Sequence, residues 1–158
     1  MTAVTFYDVV LAIHILAVVL AFGVVFAYPI IDSQAKRAGP AALPGLHRLH
    51  LALATRLVQP AMAVVLLAGL YLALDRWSLG DPWISATFAI LIVLFALTGA
   101  ILIPADKRLA ELAESDLSAG SGPSAEYVAL SRRADIVGSV ALLLVVVAIF
   151  LMTGKPGA

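Results

Sequence analysis

At 158 residues the chain has room for one domain; 63% of it is hydrophobic and only 13% charged, and its mean hydropathy is +1.06, whereas soluble domains run near half apolar and a quarter charged. Water is the wrong solvent for such a chain, and the composition points to an integral membrane protein of the all-α class. Ten basic and ten acidic residues balance, and cysteine is absent; the first fact excludes the basic field of a nucleic-acid-binding protein, the second excludes disulfides, thiolate metal sites and thiol redox chemistry.

A bilayer core of about 30 Å takes roughly 20 apolar residues in helical form, because lipid offers unpaired backbone groups no partner. The first such stretch runs from about Val9 to Ile31. Met1 to Tyr7 carries no Lys or Arg and the apolar run is too long for a cleaved signal segment, so this span is expected to remain in the mature protein. The connection that follows, about residues 32–56, contains Pro40, Pro44 and Gly45, which break the chain before a new helix that starts on the membrane surface. That helix runs into a second span, about Leu57 to Leu74, where Pro60 is expected to free a carbonyl and kink the helix.

A short turn from Asp75 to Pro82 leads to the third span, about Trp83 to Ile103. The next connection, about residues 104–135, opens with a mixed-charge segment, Asp106 to Leu117, in which Leu109, Leu112 and Ala113 share a face; it reads as a short surface helix. Ser118 to Ser124 then forms a flexible Gly/Ser/Pro linker, and helix resumes at Glu126 before the fourth span, about Ile136 to Met152. Tyr7, Tyr28, Tyr71, Trp77 and Trp83 lie near the span ends, where an aromatic ring is half buried and half wet.

Eight Lys and Arg residues flank the first and third connections, against Arg76 and Lys155 on the other side. By the positive-inside rule both long connections are expected in the cytoplasm of a bacterial-type inner membrane, with the N- and C-termini outside. Small residues recur in stripes, at Ala17 and Ala21, at Ala61 and Ala68, at Ser85, Ala89, Ala96 and Gly99, and at Ala134, Gly138, Ala141 and Ala148. Because lipid supplies little drive between helices, such stripes predict the contact faces of a four-helix transmembrane bundle.

Polar side chains in a span are costly, so the few present are the candidate sites. His14 is the only ionisable residue well inside the apolar core, on the face of Ala17 and Ala21, and is expected to point into the bundle. A neutral imidazole there can ligate haem iron or a metal, shuttle protons, or hydrogen-bond to a neighbouring helix. Met62, near the middle of span two, is a weaker candidate ligand, as methionine more often fills gaps. His47 and His50 are three apart and share a helix face, a spacing compatible with metal binding, with Asp32 able to fold across; a surface helix beside lipid headgroups accounts for the same pattern. Arg56 is expected to snorkel or to pair with Asp135 at the matching depth on span four. Gln59, Thr87 and Thr98 are expected to hydrogen-bond between helices. No nucleophile constellation, phosphate-cradling glycine loop or paired intramembrane carboxylate is present, so catalysis is not required.

Pro29, Asp32, Lys36 and Arg37 after span one recur in type as Pro104, Asp106, Lys107 and Arg108 after span three. The echo fits either a duplicated two-helix unit or repeated stop signals.

The stretch from His14 (HILAVV) followed by Phe22 to Pro29 (FGVVFAYP) resembles the first span of a superfamily of small bacterial membrane proteins. It includes copper-resistance D-like proteins, membrane-type haem-linked protoporphyrinogen oxidases and a group of predicted integral membrane proteins of unknown function. Arg56 to Ala63 (RLVQPAMA) and Ala68 to Leu72 (AGLYL) look like that superfamily's kinked second helix. The resemblance covers spans one and two and implies that His14 matches the haem-ligating histidine of the oxidase branch, with haem b as the cofactor. The third span lacks the histidine of that branch and holds Thr98 in an apolar setting, so size and layout fit the unknown-function group better. The expected function is that of an accessory or small-ligand-binding membrane protein in which His14 lines an internal pocket; the alternatives are a b-type haem or porphyrin protein and a transporter of copper or another small solute. The expected partners are the lipid bilayer and either a second copy or a larger membrane complex.

Overall fold

The computed structural model describes residues 4–156, and among them it contains helices and no strand. Four helices are long and apolar enough to cross a membrane: α1, Phe6–Ala38; α2, Pro40–Arg76; α3, Pro82–Ser118; and α4, Ala125–Gly154. The all-α, four-helix membrane architecture expected from composition is the one found. Their lengths of 33, 37, 37 and 30 residues correspond to about 45–55 Å at a rise of about 1.5 Å per residue. Each helix therefore outruns a hydrocarbon core of about 30 Å, and the surplus gathers at the end where α1 meets α2 and α3 meets α4.

Caps and turns explain where the helices stop. Thr5 and Asp8 form a reciprocal capping box at the start of α1. α1 and α2 are joined through Gly39 alone, whose φ of +94° is closed to side chains that carry a Cβ. At α4 the Ser124 hydroxyl accepts from the Tyr127 N–H, while Ser124 N–H donates to Asp116 on α3 at 2.7 Å, tying the start of α4 to the end of α3.

The two long connections are less loop than the sequence led us to expect. Leu43 to Leu53 is helical and enters span two without a break, as anticipated, but Asp106 to Leu117 is not a separate surface helix: it continues α3 beyond the apolar stretch. Pro104 would ordinarily break α3. It is tolerated because Leu97–Leu102 forms a π-helical turn, with Ile103 N–H bonded to Thr98 five residues back. α2 repeats the device, since Ala54–Val58 is π-helical, Gln59 N–H reaches Ala54, and Pro60 follows. A wider turn re-partners the carbonyls that a proline leaves without a donor.

Three apolar clusters hold the bundle. The central one joins Ala17, Ala21 and Phe22 of α1 to Val58, Ala61, Met62 and Val65 of α2, Leu91 and Leu94 of α3, and Ala141 and Val145 of α4. A second, between the helical extensions, comprises Leu43, Leu46, Leu109, Leu112, Ala113 and Tyr127. A third sits at the opposite end around Ala73, Trp83 and Ile84. The outward surface is apolar: Leu67, Leu143 and Phe150 are 72, 63 and 65% exposed, an arrangement stable in lipid and not in water.

Two packing expectations need correction. On α3 the small residues Ser85, Ala89 and Ala96 face outward and Ile84, Leu91 and Leu94 make the inner face, whereas Gly99 lies against α2, where a Cβ would stand 3.2 Å from Gln59 Nε2. Thr87 and Thr98 do not bridge helices, because each hydroxyl donates to a carbonyl one turn earlier on α3, Trp83 at 2.7 Å and Leu94 at 2.9 Å. Gln59 does bridge, donating to the Phe95 carbonyl at 3.3 Å, just ahead of the π turn of α3.

Candidate functional site

The polar residues of greatest consequence meet where the helical extensions leave the bundle. His47 and His50 are one turn apart on α2 and face inward; they are 5% and 9% exposed. The surface-helix reading of this pair is thereby overturned: α3 continues past Pro104 and α4 begins early at Ala125, so both cover the α2 face that was expected to lie beside headgroups. His47 Nδ1–H donates to Asp106 Oδ1 at 3.0 Å, and its Nε2 lies 2.8 Å from the Tyr127 hydroxyl, which donates to it in that tautomer. His50 stands between two carboxylates, with Nδ1 3.6 Å from Asp106 and Nε2 3.2 Å from Asp32. The Tyr28 ring lies 4.4 Å from the His50 ring, centroid to centroid, so Tyr28 is a wall of this site rather than an interface anchor.

Electrostatics follow from the enclosure. Burial alone would raise the Asp106 carboxyl, but its contacts with His47 and His50 outweigh burial and hold it below the ordinary carboxylate value. Burial, reinforced by the nearby carboxylates, pushes the Tyr127 phenol up to about 12, so it remains an O–H group. Among the described residues, His47, His50 and Asp106 bring three potential metal-ligating atoms within 4.8 Å of one another.

A cavity of about 410 Å³ opens beside this cluster. All four helices line it, from Phe22, Met62, Leu94 and Val145 in the bundle interior to Asp32, His47, His50, Asp106 and Tyr127 at the polar end. It exists because α1 and α4 touch little while α1 packs closely on α2, and α3 on α4.

Residues 8–156 match a family described as "Predicted integral membrane protein (DUF2269)". The chain belongs to this family. No curated protein and no solved structure matches it.

His14 of this DUF2269 protein is buried at 8% exposure and points into the bundle, but it does not line the cavity. Its ring packs on α2, over Gly69, with Phe88 of α3 close by. A Cβ at position 69 would lie 3.1 Å from His14 Cε1, so glycine is what lets α1 approach so closely. His14 Nδ1 has no hydrogen-bond partner, an invitation to a ligand in principle. Met62 lines the cavity and His14 does not, so the two candidate haem ligands are not brought to one space.

The remaining sequence candidates have structural surroundings. Asp135 pairs with Lys36 at 3.6 Å, both exposed, rather than with Arg56. Arg56 is exposed on the π turn of α2. Pro60 sits on the outer surface just past that turn. Asp106 and Tyr127, both central to the cluster, were not singled out from the sequence; the signals available were the recurrence of Asp32 as Asp106 and a lone tyrosine within a polar segment.

Proposed function

We propose that this membrane protein binds a small ligand in the cavity at its polar end, with that end in the cytoplasm of an inner membrane and both termini outside. One observation carries the reading: in a chain whose helices are otherwise apolar, Asp32, His47, His50, Asp106 and Tyr127 converge on a single cavity of about 410 Å³. Polar groups are kept in such a setting at a cost of several kcal/mol unless they have partners, and a cavity with a few converging polar groups is the usual form of a small-molecule site. The bias of eight basic residues against two supports the orientation. His14 has no part in this site; its surroundings support a packing role between α1 and α2.

The absence of native cysteine makes single-cysteine labelling clean. Ser131→Cys, on the cavity wall, is expected to react with a charged, membrane-impermeant maleimide in inside-out vesicles, and Ser78→Cys, in the turn between α2 and α3, only in right-side-out vesicles. Failure of Ser131→Cys to react in inside-out vesicles while Ser78→Cys behaves as expected removes the cavity as a water-accessible site; the reverse pattern of sidedness refutes the orientation.

A further inference from the structure

The cluster has the layout of a metal centre. We propose that His47, His50 and Asp106 bind one divalent transition-metal ion of the zinc type, with the cavity supplying the open coordination position; this rests on the reading of the cavity as a ligand site.

Donor geometry is the first support. Metal–ligand bonds of about 2.1 Å arranged tetrahedrally place neighbouring donors about 3.4 Å apart. Asp106 Oδ1 lies 3.0 Å from His47 Nδ1 and 3.6 Å from His50 Nδ1, on either side of that spacing. Two imidazoles and one carboxylate with a fourth position free is the donor count of open zinc sites, not of a closed structural site.

The outer partners are the second support. Both histidines turn Nδ1 toward Asp106, and both have a polar group at the far nitrogen, Tyr127 at 2.8 Å from His47 Nε2 and Asp32 at 3.2 Å from His50 Nε2. Metal-bound histidines characteristically donate the other ring N–H to such a group, which fixes tautomer and ring orientation. His50 Nε2 and Asp32 Oδ1 are buried 3.2 Å apart without a hydrogen bond between them. An ion at Nδ1 of His50 requires the proton on Nε2, the nitrogen nearest the Asp32 carboxylate. On His47 the ring proton moves from Nδ1 to Nε2, and the Tyr127 hydroxyl turns from donor to acceptor.

Charge is the third support. Among the residues lining the cavity, Lys36 is the one permanent cation and it lies against Asp135, which leaves Asp32 and Asp106 beside two imidazoles. A dication cancels those two charges. Imidazole donors favour zinc-type ions over Mg²⁺ and Ca²⁺, which take all-oxygen sites.

Protein purified without a polyhistidine tag and stripped with chelator is titrated with Co²⁺ as a visible probe. The expected result is one ion per chain, with the intensified absorption of a low-coordinate site, displaced by Zn²⁺ and not by a large excess of Mg²⁺. Asp32→Asn and Tyr127→Phe are expected to weaken binding by about 10- to 100-fold, and the double variant His47→Gln/His50→Gln to abolish it. A wild-type Co²⁺ spectrum identical to that of the aqueous ion, or displacement by Mg²⁺ as readily as by Zn²⁺, overturns the proposal, and this readout stands even if the double variant fails to fold. If Ser131→Cys is labelled as expected and the wild type takes up no Co²⁺, the metal centre fails while the cavity reading survives; if neither holds, both fail.

Discussion

Replacing Gly69 with alanine tests whether a missing side chain sets the contact between α1 and α2. The new Cβ would lie 3.1 Å from His14 Cε1 and 3.5 Å from Nδ1, with Phe88 Cζ at 3.9 Å behind. Carbon pairs rest at about 3.5–4.0 Å, so the imidazole must retreat by roughly half an ångström from a buried position between two helices. Overpacking of this kind costs about 1–3 kcal/mol, while exchanging glycine for alanine within a helix returns about 0.8–1.0 kcal/mol. The balance is a loss of about 1 kcal/mol, or a fall in Tm of about 2–4 °C for a chain of this size. In a His14→Ala background the obstacle is gone, and the same Gly69→Ala change is expected to raise Tm by a comparable amount. Thermal unfolding of the four proteins in one detergent, followed by circular dichroism, completes the cycle, and the two changes are expected to couple within the range of about 0.5–3 kcal/mol found for residues in contact. An equal shift for Gly69→Ala in both backgrounds refutes the close-packing account of His14.

Tyr127→Phe removes the partner of His47 Nε2 inside a buried network; a loss of about 1–3 kcal/mol in the metal-free protein is expected, and an unchanged Tm would show that the hydrogen bond carries no weight. Asp135→Asn breaks an ion pair whose side chains are 53 and 56% exposed, so its effect on Tm should correspond to less than about 1 kcal/mol; a larger drop would mean that Lys36–Asp135 ties α1 to α4 more firmly than its exposure implies. Protein purified from haem-replete cells is expected to show no Soret band, and a band that disappears in His14→Ala would return His14 to the role of a haem ligand.

The membrane architecture was legible because one physical demand, apolar length in helical form, is written along each span and needs no knowledge of neighbours. The inward face of α1 was legible for a similar reason, as His14, Ala17 and Ala21 recur at helical spacing and do face the bundle. The face of α3 was not, because small residues at helical spacing serve a lipid-facing surface as well as a contact, and only the positions of α2 and α4 decide between them. Within the site, His47 and His50 could be paired from their spacing alone. Their burial depended on α3 continuing as helix beyond Pro104, and that continuation depends on a π turn whose residues, Leu97–Leu102, carry no signal of it. Asp106 was therefore read as part of a solvated surface segment when it is the residue on which both histidines converge.

The echo between the ends of spans one and three takes on meaning in this light. Asp32 and Asp106 follow Pro29 and Pro104 at similar distances, and the fold places them on opposite edges of one imidazole, His50. Stop signals alone would require only that these residues lie near water, and any outward rotation of the two helices would meet that need. Instead both carboxylates turn inward and are partly enclosed, with side chains 25 and 17% exposed, where an unpaired charge is costly. The adjoining basic residues do not follow them: Lys36 points to Asp135, Arg108 to Glu126 at 2.8 Å, and Arg48 of α2 to Glu114, all on exposed side chains. Asp32 and Asp106 are thus held inside, while Lys36, Arg108 and Arg48 each find an acidic partner on an exposed side chain. On the reading of the cavity as a ligand site, two carboxylates beside two imidazoles favour a cationic occupant over an anionic one, whether or not the two hairpins share an origin.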